Sequence, residues 1–69
     1  MMIDVYHSGR GRRVVAPFVL VPAGMVRLPP HPAGTRIEWN YWKRVPLREI
    51  ALVPSEAERA IRAEGFCVQ

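Results

Sequence analysis

The chain has 69 residues, a net charge of +4 and 49% hydrophobic residues. That length allows a single domain, 1–69, and the apolar share is too high for a disordered chain. The lone cysteine, Cys67, excludes an intrachain disulfide and fits a reducing compartment, so we expect a cytoplasmic protein. The uncharged stretch 14–26 is too short to span a membrane, and Pro17 and Pro22 interrupt it, which disfavours membrane insertion and export.

The first predicted element is a half-buried strand, Met2–His7. Its apolar residues Ile3 and Val5 alternate with polar neighbours, which is the period of a strand with one buried face. The glycine-containing segment 8–11 that follows is rich in turn-forming residues. Because the next apolar run begins at Val14, the pattern predicts a hairpin.

The most hydrophobic segment is Val14–Val21, which is apolar on both faces. Two apolar faces normally mean cover on both sides, whereas Pro17 cannot donate to a ladder and indicates an edge or a bulge. An exposed apolar edge strand would favour aggregation. Either a strongly curled sheet covers both faces, or a second chain covers the exposed one. We favour the second option, a homodimer through Val14–Val21.

The middle of the chain predicts a turn, a short strand, a loop and a longer strand. Pro22-Ala23-Gly24 is typical of a turn, and Met25–Leu28 can form a short strand. The prolines of Leu28–Thr35 exclude a helix and predict an ordered loop. Arg36–Trp42 alternates again and is rich in aromatic residues, which favours a strand.

Alternation within this last strand predicts which aromatic side chains are buried. Ile37, Trp39 and Tyr41 share one face, so Trp39 and Tyr41 are expected in the core. Trp42 lies on the opposite face and is expected to be exposed. Leu47–Val53 fits either one helical turn or a short strand, and we expect a strand near Glu49–Leu52.

The clearest local signal is a capped helix, Ser55–Glu64. Ser55 is the predicted N-cap, and Glu58, three residues later, completes a capping box. Gly65 is the expected C-terminal cap, and Phe66–Val68 can return to the sheet as a short strand. The predicted fold is therefore α+β: a small antiparallel sheet of three to five strands, one C-terminal helix packed on it, and a short final strand.

Candidates for catalysis or metal binding are few. His7, His31 and Cys67 are the only nitrogen or sulfur ligands, and they lack the paired spacing of a zinc motif. Cys67 is better explained as a small residue of the terminal strand. We therefore expect no enzyme, no catalytic residue, no metal and no cofactor.

The charge is concentrated in one part of the chain. Residues 1–48 carry eight cations and two anions, whereas 49–69 carry two cations and four anions. A basic region of this kind suits nucleic acid or an acidic protein, and a bias toward arginine is the alternative explanation. A basic hairpin tip and an aromatic–basic strand segment are the two candidate contact sites. The candidate contacts are Arg10, Arg12, Arg13, Trp42, Lys43 and Arg44.

These residues support two functions. An exposed Trp42 beside an arginine is typical of a protein–protein contact. The first expectation is therefore a non-enzymatic accessory or protein-interaction module. The homodimer is one form that this module can take. The alternative is a nucleic-acid-binding protein that uses the basic hairpin and the aromatic–basic strand.

Several short segments resemble a known family. Asp4–Tyr6, Val19–Gly24, Trp39 and Ile61–Phe66 are similar to a family of small bacterial proteins that is classed only as a domain of unknown function. The resemblance spans most of the chain, and it implies neither an activity nor site residues. This chain departs from the family in its basic hairpin, its proline-rich loop and its cationic middle.

Overall fold

A computed structural model describes residues 1–25, 27–34 and 36–69. It contains a four-stranded antiparallel sheet with one main helix packed on it, which confirms the predicted α+β fold. The strands lie in the order β3-β1-β2-β4. The elements are β1 (Met2–His7), β2 (Val19–Pro22), β3 (Asn40–Pro46), α1 (Leu47–Ile50), α2 (Pro54–Glu64) and β4 (Cys67–Val68).

The core lies between the sheet and the two helices. Ile3 and Val5 of β1 and Leu20 of β2 are fully buried on the helix side of the sheet. Ala57 and Ile61 of α2 pack onto them, and because these side chains are small the helix can lie close to the strands. In β1, Ile3 and Val5 face the helices as predicted, but Asp4 on the other face is also buried, so this strand is covered on both faces rather than half-buried.

The opposite face of the sheet is covered by a long connection rather than by a helix. β2 ends at Pro22, opposite Ile3, whereas β3 begins at Asn40, opposite His7. The segment 23–39 must therefore travel the length of the sheet and cross β1. Val19 and Val21 alternate with Leu20 and have no exposed surface. Since the helices lie on the Leu20 side, we infer that the described part of this connection, residues 23–25, 27–34 and 36–39, covers the two valines.

The strand predicted over Val14–Val21 is shorter than expected. Only Val19–Pro22 pairs, and β2 lies inside the sheet between β1 and β4. Pro17 falls outside the ladder, as its missing N–H requires. Both faces of the paired part are covered within the chain, so Val19–Val21 offers no exposed apolar surface to a homodimer through Val14–Val21.

A bulge in β3 reverses the predicted faces of the aromatic residues. Val5 and Tyr6 are consecutive in β1 but oppose Lys43 and Tyr41, which leaves Trp42 without a partner. The extra residue turns Trp42 toward the helix side, where it stacks on Phe18 at a centroid distance of 5.7 Å. Tyr41 is 54% exposed, so the predictions of a buried Tyr41 and an exposed Trp42 were both wrong.

Trp39 is half-buried, as expected of a packed residue, but it lies before the strand. The predicted strand Arg36–Trp42 begins only at Asn40, because residues 36–39 belong to the crossing connection. The other short strand predicted in this region, Met25–Leu28, includes Val26, which lies outside the described residues.

The predicted strand Glu49–Leu52 is replaced by the helical turn α1. The backbone N–H of Ala51 donates to the carbonyl of Leu47 at 2.9 Å, and Leu47, Ile50 and Ala51 all pack on the core. A single turn buries these three residues together, which an alternating strand cannot do. Within the described residues, no helix is long and apolar enough to cross a bilayer.

The C-terminal helix is confirmed, but its predicted N-cap is wrong. α2 begins at Pro54, a residue suited to the first helical position, and Val53 precedes it without a side-chain cap. Ser55 therefore lies inside the first turn. The predicted C-terminal cap is confirmed, since Gly65 adopts φ 88° and its N–H donates to Ile61. Arg62 also pairs with Glu58 at 2.9 Å.

The reversed faces of β3 can be tested by comparing two neighbouring substitutions. Trp42→Ala should lower the free energy of unfolding by about 2–4 kcal/mol, because it removes a partly buried indole and leaves a cavity. Tyr41→Ala, on the same strand, should cost less than about 1.5 kcal/mol, because only an exposed aromatic pair is lost. Urea unfolding of both variants measures the difference, and a greater loss for Tyr41→Ala would contradict the bulge.

Candidate nucleic-acid interface

The predicted basic hairpin tip is a tight turn that presents three arginines. The N–H of Arg13 donates to the carbonyl of Arg10 at 3.1 Å, which closes a four-residue turn. Gly11 has φ 59°, and no other residue type in the described chain has positive φ. A positive φ at only the first central position fits a type II′ turn, and this turn lies in the connection between β1 and β2 rather than directly between paired strands. Arg10, Arg12 and Arg13 are all exposed.

The turn is held against the end of β1 by a glycine that admits no side chain. Gly9 is buried, and a Cβ atom placed on it would overlap the carbonyl group of Arg13. The N–H of Gly9 donates to Nδ1 of His7 at 3.0 Å, and the N–H of Ser8 donates to Val15 at 3.0 Å. These contacts fold the loop back on itself, so the three arginines project from a defined position.

A cleft beside this turn brings in a further arginine. Its volume is about 620 Å³, and it lies between the turn and the segment that leads into β3. Asn40 joins the two sides, because its side-chain nitrogen donates to the carbonyl of Gly9 at 2.7 Å. The cleft is lined by Ser8, Arg10, Gly11, Arg36, Ile37, Glu38 and Asn40.

Charge at this end of the molecule is strongly unbalanced. Arg10 and Arg36 line the cleft with Glu38, the one acidic side chain of its lining, and Arg12 and Arg13 follow on the exposed turn. The ion pairs found among the described residues are Asp4–Arg44 and Glu58–Arg62, and neither involves these four arginines. We call this surface, formed by the four arginines and the cleft, the basic end.

A partly buried hydrogen-bond relay fixes the connections that build the basic end. Ser8 donates its hydroxyl proton to the carbonyl of Pro17 at 2.8 Å, and its oxygen lies 2.7 Å from Nε2 of His31. Nδ1 of His31 accepts from the N–H of Ala33 at 3.0 Å, so in the neutral ring the proton is on Nε2 and is donated to Ser8. A nucleophile–base pair needs the opposite polarity, with the histidine accepting from the serine.

The crossing connection is further fixed by aromatic packing. The rings of His31 and Trp39 lie 4.4 Å apart, and the indole N–H of Trp39 donates to the carbonyl of Pro29 at 2.8 Å. His31 is buried although it belongs to a proline-rich segment. This part of the chain is therefore an ordered loop, as predicted, and it delivers Arg36 to the cleft.

The predicted aromatic–basic cluster does not form one surface. Nζ of Lys43 lies 4.1 Å above the ring of Trp42 on the helix side of the sheet. Arg44 lies on the other face, where it contacts Asp4 at 2.7 Å and 3.1 Å. Phe18 stacks on the Trp42 ring and Nζ of Lys43 lies over it, so both side chains cover part of the surface that a nucleic-acid base would need.

Arg44 instead lies on the second face of the sheet, which is the face opposite the helices. There it forms a partly exposed patch with Asp4, Tyr6 and Tyr41. The Asp4 carboxylate is buried, and it also accepts from the N–H of Gly24 at 2.9 Å. The hydrogen bond from Arg44, outweighing the opposing effect of burial, lowers the pKa of Asp4 below its ordinary value. Beside this pair, Tyr6 and Tyr41 form an edge-to-face contact with centroids 5.5 Å apart.

The described residues offer little for metal or thiolate chemistry. They contain no group of three histidine, cysteine or acidic side chains placed to share a metal ion. Burial, with Glu56 and Glu64 nearby, raises the pKa of the Cys67 thiol. A raised pKa keeps the sulfur protonated at neutral pH, which makes it a poor nucleophile.

Sequence reasoning identified the three arginines of the turn but missed Arg36, Asn40 and Tyr41. Arg36 and Asn40 join the basic end only because the crossing connection returns to β3 there. Exposure of Tyr41 follows from the bulge at Trp42, and alternation in the sequence pointed the other way. No local pattern marks any of the three.

Comparison with known proteins finds no matching family model, curated protein or solved structure. The resemblance to a family of small bacterial proteins of unknown function therefore stays a prediction.

The Asp4–Arg44 pair predicts a defined pH dependence of stability. Because the pKa of Asp4 in the folded protein lies below the unfolded value of about 3.9, the pair stabilises the fold above that pH. This stabilisation is lost as the pH falls through the folded pKa. The difference in unfolding free energy between the wild type and Asp4→Asn should be constant from pH 5 to 7 and shrink below about pH 4. A difference that is equal at pH 7 and pH 2.5 would refute this assignment.

Proposed function

We propose that this chain is a small, non-enzymatic, cytoplasmic module that binds nucleic acid through the basic end. One observation carries the proposal: four exposed or cleft-lining arginines meet at one end of the molecule with a single carboxylate among them. Clustered arginines attract phosphate groups, and binding releases the counterions of the nucleic acid.

The construction of the basic end supports a binding role. The arginine turn is held by Gly9, by the Ser8–Val15 hydrogen bond and by the amide of Asn40. Cations that are held on a rigid frame lose less conformational freedom on binding than cations on a loose loop. Arg36 approaches from a separate connection, so the cleft can place donors on two sides of one phosphate.

The polarity of the Ser8–His31 contact supports a non-catalytic role. With its Nδ1 engaged by Ala33, His31 has no lone pair to remove a proton from Ser8. The serine proton is itself committed to the carbonyl of Pro17. The relay is therefore suited to holding loops in place rather than to nucleophilic attack.

A salt series tests the proposal. If about four phosphates are contacted, the logarithm of the binding constant for a single strand should fall with the logarithm of salt concentration at a slope of about −3. Arg10→Gln/Arg12→Gln/Arg13→Gln should reduce that slope by about 2 and weaken binding at 50 mM salt more than tenfold. Fluorescence anisotropy with a labelled oligonucleotide measures both quantities.

A charge-matched variant separates the basic end from net charge alone. Arg27→Gln/Arg48→Gln/Arg59→Gln removes the same number of positive charges, but from exposed positions away from the cleft. Its slope and affinity should stay close to those of the wild type. Equal losses in the two triple variants would leave only a non-specific charge effect, and no binding by the wild type at 50 mM salt would end the proposal.

A protein-interaction module is the second candidate, and a different surface supports it. Leu52 is 81% exposed, and Val53 and Val68 beside it are also exposed. The side chain of Gln69 bonds to the backbone of residues 50 and 52, at 2.9 Å and 3.1 Å, which satisfies these polar groups. What remains is a groove of about 350 Å³ between α2 and β4 with apolar side chains at its margin.

This groove is the surface that we propose for self-association, since β2 is buried. Sedimentation at high micromolar concentration should then show a dimer for the wild type and a monomer for Leu52→Asp, since a desolvated carboxylate opposes apolar contact. A wild type that sediments as a monomer would remove the homodimer. Leu52→Asp should leave oligonucleotide binding unchanged, because Leu52 lines a groove that shares no residue with the cleft.

A further inference from the structure

We propose that the ligand of the basic end is single-stranded nucleic acid, with one unpaired base stacked on Tyr41 while its neighbouring phosphates lie against Arg36 and Arg10. The inference rests on the proposed function and narrows its ligand. Three features of Tyr41 carry it: its position in β3, its exposure and its contact with the ring of Tyr6.

Tyr41 lies on the second face of the sheet, opposite Tyr6 in the register of β1 and β3. It directly follows Asn40, which lines the cleft and bonds to Gly9, so the two side chains leave opposite faces of β3 at the same end of the strand. At 54% exposure, its ring is far more accessible than an aromatic side chain in a packed sheet. A nucleic-acid strand that passes from the cleft around this end of β3 onto the second face therefore reaches Tyr41.

The ring of Tyr41 is supported but not covered by Tyr6. The two ring planes are inclined at 76°, which is an edge-to-face arrangement. If Tyr41 contributes its edge, neither of its faces contacts Tyr6. If Tyr6 contributes its edge, only one face of Tyr41 contacts Tyr6, and the other is free of it. A ring that is held on one side and open on the other is suited to stacking a flat base.

Arg44 extends the same surface. Its guanidinium gives Nε and one Nη2 proton to Asp4, and its side chain is still 52% exposed. The Nη1 protons are not used in that pair, so they can donate to a base or a phosphate. Because Asp4 neutralises the charge, Arg44 contributes hydrogen bonds and a planar surface rather than electrostatic attraction.

These features select single strands over duplexes. In a duplex every base is already stacked and paired, so a protein ring on a sheet surface cannot reach a base without paying for unstacking. The phosphates of a duplex are still accessible to arginines. The basic end should therefore bind both ligands, whereas Tyr41 should contribute only to the single strand.

The experiment compares three polyanions and three Tyr41 variants. Binding of a labelled thymidine dodecamer, a 12-base-pair duplex and heparin is measured for the wild type, Tyr41→Phe, Tyr41→Leu and Tyr41→Ala. Tyr41→Ala should weaken single-strand binding between about 5-fold and 100-fold, and Tyr41→Phe should keep it within about twofold. Tyr41→Leu retains apolar contact with Tyr6 but no aromatic ring, so it should lose as much affinity as Tyr41→Ala.

The duplex and heparin separate this inference from the proposed function. Affinity for both should change less than about twofold in every Tyr41 variant. Leu52→Ala, at a far exposed site, should leave all three affinities unchanged. Binding of all three polyanions without a selective effect of Tyr41 would overturn the stacking inference and leave the basic end intact. Failure of the wild type to bind any of them at 50 mM salt would overturn both.

Discussion

The hydrogen-bond relay from His31 through Ser8 to Pro17 is the interaction on which the rest of this structure depends. Ser8 follows the central strand β1, Pro17 precedes β2, and His31 lies in the middle of the crossing connection. One hydroxyl group thus joins three segments that are distant in sequence. Each of these hydrogen bonds contributes about 1 kcal/mol net to the stability of the fold. A buried donor or acceptor left without its hydrogen-bond partner would cost about 1–3 kcal/mol.

The relay matters because a chain of this size has too few elements to cover both faces of a sheet with helices. α2 covers one face, and the connection 23–39 has to cover Val19 and Val21 on the other. An irregular segment can replace a helix only if its backbone polar groups find partners. The turn at Ala33 and the Trp39–Pro29 hydrogen bond supply some of those partners.

The same arrangement determines where a ligand surface can exist. The helix side is occupied by the core, and most of the second face lies under the crossing connection. What remains is the end of the sheet and the outer part of β3, where the basic end and Tyr41 lie. The outer edge of β3 itself is protected, because the bulge at Trp42, charged side chains and Pro46 oppose pairing with another strand. Side chains rather than backbone groups are therefore the means of recognition here.

The sequence predicted the elements whose signals are local. Alternation identified β1, and the terminal glycine Gly65 identified the end of α2. Local patterns failed where long-range contacts decided the outcome: the bulge at Trp42 depends on the pairing of β3 with β1, and α1 forms because one turn buries Leu47 together with its neighbours. The two apolar faces of Val14–Val21 correctly indicated cover on both sides, but the cover came from a loop of the same chain.

The candidate site also contains residues that could be predicted from the sequence and residues that could not. Exposure of the arginines in the turn could be predicted, because a glycine-rich hairpin leaves little room to bury them. The contribution of Arg36 and Tyr41 could not, since it depends on where the crossing connection ends and on one extra residue in β3. Clustered arginines repel one another, and this repulsion opposes the compact fold. The neutral contacts of Gly9, Ser8 and Asn40 offset it, so the basic end is kept together by hydrogen bonds and shape rather than by ion pairs, which leaves its charge available to an anionic ligand.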